Sequence, residues 1–256
     1  MYRFNMHKPN TKKTTTYKSM TYKSTAYKFN RHKHQIVRFF ASFLLCLVCI
    51  PVNAATWNVE DYTLDQEDLL DGDIQTFEKD FSSGEKEGEK KGVMGVILIK
   101  APYEKVWGVI SDWEKQSDFV PGVEYFKVKH VFPGGDDKAW RSIVEGKLDI
   151  PFISLSYTLD TNFDKAEGTM VWNMLSQEDI KKYQAQKIDV NIADEDRLRN
   201  VEGFGKIKAY DEKSTVYYYA PIVETSVSLP GFVESAITNV SLSKYLHAIK
   251  ERAEEK

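Results

Sequence analysis

The chain has 256 residues, 42% apolar and 29% charged. That is enough to bury a sizeable core, and too apolar for a disordered polar chain; two cysteines exclude a disulfide scaffold. The net charge of −3 hides an asymmetry. Residues 1–55 hold ten Lys/Arg and no Asp or Glu, leaving 25 basic against 38 acidic residues beyond them, a net of −13.

The run RFFASFLLCLVCIPVN, residues 38–53, follows a basic flank, and small residues surround Ala54. This pattern fits a secretory signal peptide, with Pro51 ending the apolar helix before the cleavage region. A membrane span needs roughly 20 apolar residues. The run 39–52 is shorter, so cleavage is expected rather than a retained anchor. Cys46 follows Leu45 and Cys49 follows Val48, so neither has the small neighbour of a lipoprotein signal. Both are expected to leave with the signal, and the mature chain then has no thiol. Residues 1–35 repeat Tyr-Lys at Tyr17-Lys18, Tyr22-Lys23 and Tyr27-Lys28. Two readings stand: a start displaced upstream of Met20, or a basic arm for nucleic acid or anionic lipid.

Residues 56–91 are acidic, with Glu60, Asp61, Asp65, Glu67, Asp68, Asp71 and Asp73 crowded together. They read as a lead-in or linker. A calcium loop counted from Asp61 would need glycine sixth and glutamate twelfth. Those positions are Gln66 and Gly72, so the pattern fails. Trp57 and the short run 74–77 are candidates for an extra strand on the body.

The body, residues 92–256, opens with a β-prone run at 93–99. Pro102 then suits the first turn of a helix, with Val106, Trp107 and Ile110 on one face. A second short helix is expected over 114–119, ended by Pro121-Gly122. Residues 123–132 read as a strand, and Pro133-Gly134-Gly135-Asp136-Asp137 as a hairpin loop. In residues 138–150, Trp140, Ser142, Val144, Gly146, Leu148 and Ile150 share one face. Arg141, Ile143, Glu145 and Lys147 share the other, as in a half-buried antiparallel strand. After a corner at Pro151, Ile153, Leu155, Tyr157 and Leu159 alternate with polar residues. Met170, Trp172 and Met174 share a face in the next strand, and runs 201–210 and 215–223 give two more. Residues 177–199 are charged and weakly patterned, and read as an insertion with one helical turn. The chain ends in a long helix introduced by Leu229-Pro230-Gly231, with an apolar stripe running from Phe232 to Ala253. The expected class is α+β: one curved antiparallel sheet of about six or seven strands, two short helices after the first strand, and a long C-terminal helix across the sheet.

Two stretches carry a family resemblance. One is Ile99-Lys100-Ala101-Pro102-x-x-Lys105-Val106-Trp107-x-Val109-Ile110-x-Asp112, continued by Phe119-x-Pro121-x-Val123. The other is Leu229-Pro230-Gly231-Phe232 with the helix after it. Together they resemble the START-like (SRPBCC) superfamily, the helix-grip fold of polyketide cyclases, lipid-transport and coenzyme-Q-binding proteins, over residues 92–256. The resemblance implies a cavity between sheet and long helix. Members bind sterols, phospholipids, quinones or polyketides, and a minority are enzymes. Fold alone does not settle which.

On that frame the candidate cavity lining is Trp107, Phe119, Trp140, Val144, Leu148, Leu155, Tyr157, Trp172, Met174, Tyr217, Tyr219, Phe232, Ile237 and Val240. Such pockets are mostly apolar with a few polar fixers. The competing reading is that these residues simply fill the core. The parity of Tyr217-Tyr218-Tyr219 is open. Arg141 could meet an anionic headgroup only if the strand faces the other way.

Beyond residue 55 the histidines are His130 and His247, and no HExxH, GxSxG or P-loop pattern occurs. Gly203-Phe204-Gly205 lacks the third glycine of a dinucleotide fingerprint. No metal, cofactor or catalytic residue is therefore expected. The acidic body disfavours nucleic acid, whose binding rests on phosphate contacts. The expected function is an exported soluble binding protein for a lipid, sterol, quinone or similar ligand, periplasmic in a Gram-negative source. A monomer with at most transient membrane contact is expected. The alternatives are a non-catalytic interaction module of the cell envelope, or a polyketide-cyclase-like enzyme using tyrosines or a buried carboxylate.

Overall fold

The computed structural model describes residues 57–80, 91–134, 138–150, 153–191, 198–226 and 241–255, all within one unit, Ile50–Lys256. The basic extension, the signal-like run, Pro151, and the Leu229-Pro230-Gly231 turn with Phe232, Ile237 and Val240 lie outside the described residues.

In chain order the elements are α1 (Gln66–Asp71), β1 (Gln75–Asp80), β2 (Lys91–Ile99), α2 (Tyr103–Ser111), α3 (Trp113–Gln116), β3 (Val123–Pro133), β4 (Ala139–Ile150), β5 (Ile153–Asp164), β6 (Thr169–Met174), α4 (Gln177–Ala185), β7 (Leu198–Ala209), β8 (Thr215–Thr225) and α5 (Ser241–Glu254). One curved sheet of eight strands has the order β1-β2-β8-β7-β6-β5-β4-β3, and every pairing is antiparallel. The eighth strand, beyond the six or seven expected, is β1, which adds the 74–77 run to the edge of β2.

The main core lies on one face of this sheet. The expected parity of β4, β5 and β6 holds: Val144, Leu155, Tyr157, Leu159, Met170 and Trp172 are buried in it, with Trp140, Leu148 and Met174 packed against it. Tyr217 and Tyr219 point to the same side, and Tyr218 to the other. Helices α2, α3 and α5 close this face. Val106, Trp107 and Ile110 of α2 are buried, as are Leu242, Tyr245, Leu246 and Ile249 of α5. Helix α5 can seat closely because β2 carries Gly95. A Cβ there would stand 2.5 Å from Leu246 Cδ1 and 3.3 Å from Leu242 Cδ2, so a larger residue would force these α5 side chains to repack. The C-terminal end of α5 is tied down by Lys250, whose ammonium donates to Leu98 O at 2.7 Å. Glu254 also accepts from the backbone N–H of Lys100 at 2.7 Å.

The opposite face is covered twice, and here the sequence reading needs correction. The acidic stretch is not a bare linker over residues 57–80. Trp57, Val59 and Leu69 bury themselves against Met94, Val96, Leu98, Val216, Tyr218 and Ala220, while the carboxylates face water. Asp65 caps α1, accepting from Glu67 N and Asp68 N at 2.9 and 3.2 Å, as N-cap aspartates do. The amide of Gln75 brackets the backbone of Asp65 at 2.8 and 2.7 Å, fixing the entry to β1.

The insertion is likewise more than one turn. Helix α4 has nine residues and starts at Ser176, whose hydroxyl accepts from Asp179 N at 3.1 Å. It buries Ile180 against Ile143, Leu175 and Val190. Its charged face hid this pattern, because only one side of a short helix needs apolar residues.

If residues 57–80 are integral to the fold, removing one of their buried side chains must cost as much as a core truncation. Leu69, 1% exposed, is the clearest case. Leu69→Ala is expected to lower the unfolding free energy by about 2–4 kcal/mol in urea titrations. A loss under about 0.5 kcal/mol, the usual size for a surface change, would return this stretch to linker status.

Candidate ligand-binding interior

The aromatic side chains of the main core fall into two ring clusters. One is small: Trp107 meets Trp140 and Phe163 edge-on at 6.0 and 6.5 Å, and Trp140 stacks on Phe163 at 4.6 Å. The other runs across the sheet. Trp172 stacks on Tyr219 at 5.5 Å, and Tyr219 stacks on Tyr245 of α5 at 4.2 Å. Trp113 of α3 meets Trp172 and Phe126 edge-on at 6.0 and 4.7 Å, and Phe126 leans on Tyr157 at 6.5 Å. Offset-stacked and edge-on contacts of this kind are the favoured aromatic geometries.

The backbone makes room for Trp172. A Cβ on Gly203 of β7 would stand 2.0 Å from its ring, so glycine is required for the ring to lie flat on the strand. Gly203 and Gly205 are thus the floor of an aromatic interior, and they hold no phosphate-binding turn.

Polar atoms are few here, and two have no partner. The Trp113 indole N–H and the Thr161 hydroxyl are buried and make no hydrogen bond, while the buried Tyr217 hydroxyl is directed at that of Tyr245. Gln116 is fully buried. Its amide donates to Ile110 O at 3.1 Å, and its oxygen accepts from Tyr245 Oη at 3.4 Å. Burial pushes the hydroxyl of Tyr245 up to about 12 and those of Tyr157 and Tyr217 upward as well. These phenols stay neutral under any physiological condition. Native interiors leave few buried polar atoms unpaired, so Trp113 Nε1 and Thr161 Oγ1 stand out in this aromatic interior.

At the end of β6 and β7 a cleft of about 400 Å³ is lined by Met174, Leu175, Ser176, Gln177, Leu198, Arg199, Asn200 and Ser226. Leu198 also belongs to the main core, and Met174 lies two residues beyond Trp172 on the same face. The cleft therefore reaches the edge of the aromatic interior.

The residues singled out from the sequence are placed as follows. Tyr157, Trp172, Tyr217 and Tyr219 come together in the larger cluster, Trp107 and Trp140 in the smaller. Val144, Leu148 and Leu155 are aliphatic core packed around them. Met174 is at the cleft. Phe119 is half-buried, with the Arg252 guanidinium 5.7 Å above its ring. Sequence reasoning missed Trp113, Gln116, Phe126, Thr161, Phe163 and Tyr245. Tyr245 was findable, since it falls at helical spacing between Leu242 and Ile249. Gln116 was not, because an amide carries no periodic signal.

Other candidates are structural. Arg141 is on the far face, where its guanidinium forms a two-pronged pair with Asp160 at 2.5 and 2.6 Å and also meets Tyr183 of α4. A headgroup role for it is therefore excluded by its orientation. Glu145, on that face too, is held below the usual carboxylate range despite its burial, by Asn191, Lys129 and Tyr125. His247 is exposed, its Nδ1 2.9 Å from Ser243 O. Among the described residues no cluster of His, Cys, Asp and Glu could hold a metal ion, and no helix is long and apolar enough to cross a membrane.

Two outcomes test this geometry. Gly203→Ala drives a methyl into Trp172 and is expected to cost about 1–3 kcal/mol and to shift the tryptophan emission. An unchanged emission maximum and stability would mean that the ring lies elsewhere. The buried phenols set an alkaline limit. Their folded pKa values lie above the unfolded value of 10, so the stability they confer is whole below pH 10. It is lost as pH climbs from 10 toward about 12, because the unfolded chain releases protons first. Unfolding free energy measured across that window should fall less steeply in Tyr245→Phe than in the parent.

No protein-family model and no curated protein matches the sequence. Solved structures do. A STAR-related lipid transfer protein from Xanthomonas axonopodis is similar with a TM-score of 0.50 and 12% identity, over 71% of this chain and 94% of that one. A START superfamily protein from Mycobacterium smegmatis follows at 0.47 and 16%, over 64% and 97%. An aromatase/cyclase from Streptomyces sp. R1128 is at 0.47 and 13%, over 71% and 94%. At these identities the likeness is one of fold. The eight-stranded curved sheet with the C-terminal helix against it is a helix-grip fold, the fold of the similar Xanthomonas axonopodis protein.

Proposed function

We propose that the protein is an exported, non-catalytic carrier that holds a hydrophobic ligand between the sheet and helices α2, α3 and α5. The observation that carries this reading is the presence of two unpaired buried polar atoms, Trp113 Nε1 and Thr161 Oγ1, in an otherwise aromatic interior. The cleft at Met174 and Leu198 gives that interior an approach from solvent. A mostly apolar space with a few convergent polar groups is the usual make-up of a small-molecule site. The similar protein from Xanthomonas axonopodis is described as a lipid transfer protein, in keeping with this role.

Binding is favoured over catalysis by the chemistry of the same groups. General acid–base work needs a group that titrates near the operating pH. The interior offers an amide, an indole, a hydroxyl and phenols whose burial moves them further from neutrality. The buried carboxylates Glu145 and Glu202 alternate to the other face of the sheet. Export is inferred from the basic flank, the apolar run 39–52 and the small residues around Ala54; loading would follow cleavage of the signal.

Native mass spectrometry of the protein recovered from the export compartment, with solvent extraction, tests both parts. The expected result is a chain beginning near Ala55 and carrying an extractable apolar molecule. A chain that retains residues 1–54 would overturn cleavage of the signal, and failure to find the protein in that compartment would overturn export. A clean apo mass, with no uptake of an environment-sensitive apolar dye, would overturn the carrier reading.

A further inference from the structure

We infer that residues 57–80 are a latch on α5: the helix that closes the inner face is held shut from the other side of the sheet, and the two open together. Only the consequence for ligand release rests on the carrier reading above.

Strand β2 lies between the two covers. On the outer face Met94, Val96 and Leu98 pack under Trp57, Val59 and Leu69. On the inner face Ile97 and Ile99 share a core with Leu242, Leu246 and Ile249 of α5. The outer cover also supplies β1, which pairs with β2 from Gln75 to Asp80 and forms the edge of the sheet.

The chain passes from α1 to that edge through Gly72 and Ile74, and there it reaches the inner side twice. Gly72 ends α1 in the left-handed region, with φ 87°. A Cβ on it would stand 3.5 Å from Lys250 Nζ, so the ammonium of α5 lies against the end of α1. The same ammonium holds α5 to β2, donating to Leu98 O at 2.7 Å and to Glu254 at 2.8 Å. Two residues on, Ile74 is half-buried and packs against the inner core.

A side chain of the outer cover is thus part of the core that α5 closes, and a side chain of α5 is seated against the outer cover. Undocking residues 57–80 withdraws Ile74, strips β1 from β2 and removes the wall beside Lys250. Segments that lose their contacts together open as one cooperative unit. Helix α4, the other outer cover, is joined instead to Ile143 of β4, Leu175 and Val190. For a carrier, loosening the latch speeds ligand release, and loosening α4 does not.

Amide hydrogen exchange of the folded protein, followed by mass spectrometry, tests the latch. Leu69→Ala is expected to speed exchange in residues 241–254 by about tenfold or more, together with residues 57–80. Ile180→Ala, a truncation of the same kind under α4, is expected to speed exchange in residues 177–185 and to leave α5 at the parent rate. Ile74→Ala with Lys250→Met, which keeps the aliphatic stem and removes the ammonium, breaks both joints. In that background α5 exchanges faster from the start, and Leu69→Ala adds little more. Should Leu69→Ala fail to fold, Ile74→Ala alone, which trims a half-buried side chain, takes its place. Unchanged α5 exchange on loosening the strap, equal acceleration by Ile180→Ala, or a full further acceleration once both joints are broken would overturn the latch. Release of the neutral apolar dye Nile red is expected to quicken in Leu69→Ala and not in Ile180→Ala; equal release from both would overturn the latch's part in ligand exchange. Failure of the parent to take up the dye would overturn the carrier reading and leave the latch standing.

Discussion

The constraint on which this structure depends is that its sheet is apolar on both faces. Half-buried antiparallel strands need only one cover, and β4 reads that way in sequence. Yet Ile143 on its outer face is fully buried, and so is Met94 on the outer face of β2. Two separate pieces of chain supply the second cover. Residues 57–80 lie over β2 and β8, and α4 with Ile188 and Val190 lies over β4. Charged residues let both pieces look like solvated loops, because each presents its polar side outward and only a few apolar side chains inward.

With the outer face closed independently, the inner face is released from carrying all of the stability. That permits an interior with unpaired polar atoms and large rings, which a chain relying on one core could ill tolerate. Unsatisfied buried groups cost about 1–3 kcal/mol each, a large part of a typical folding free energy. The proposed carrier function and the double-covered sheet are thus compatible in energetics: the second core would offset what the first would give up to receive a ligand.

The placement of helices follows the same logic. Gly95 lets α5 sit directly on β2, and Lys250 with Glu254 fixes its C-terminal end to the end of that strand. The rings of Tyr245 and Trp113 come from opposite ends of the chain's order, α5 and α3. They reach one cluster only because the sheet brings β6 and β8 between them. Trp172 of β6 is the common contact, with Tyr219 on one side, Trp113 on the other, and Gly203 beneath.

Much of this was legible in the residues themselves. Period-two alternation determined the inner faces of β4, β5 and β6, since an antiparallel strand cannot change the side of a residue without a bulge. The order of one strand, two short helices, a strand meander and a C-terminal helix determined the helix-grip class. The absence of catalytic patterns set the expectation of binding. What only the tertiary structure decided was which side chains meet. Alternation gives a face but no neighbour, so the separation of Trp107 and Trp140 from the Trp172 cluster was invisible, as was the burial of Gln116. The second cover was hidden for a related reason. A short helix or strap contributes only one or two buried residues, such as Ile180 or Leu69, and so few leave no periodic trace until the sheet beneath them exists.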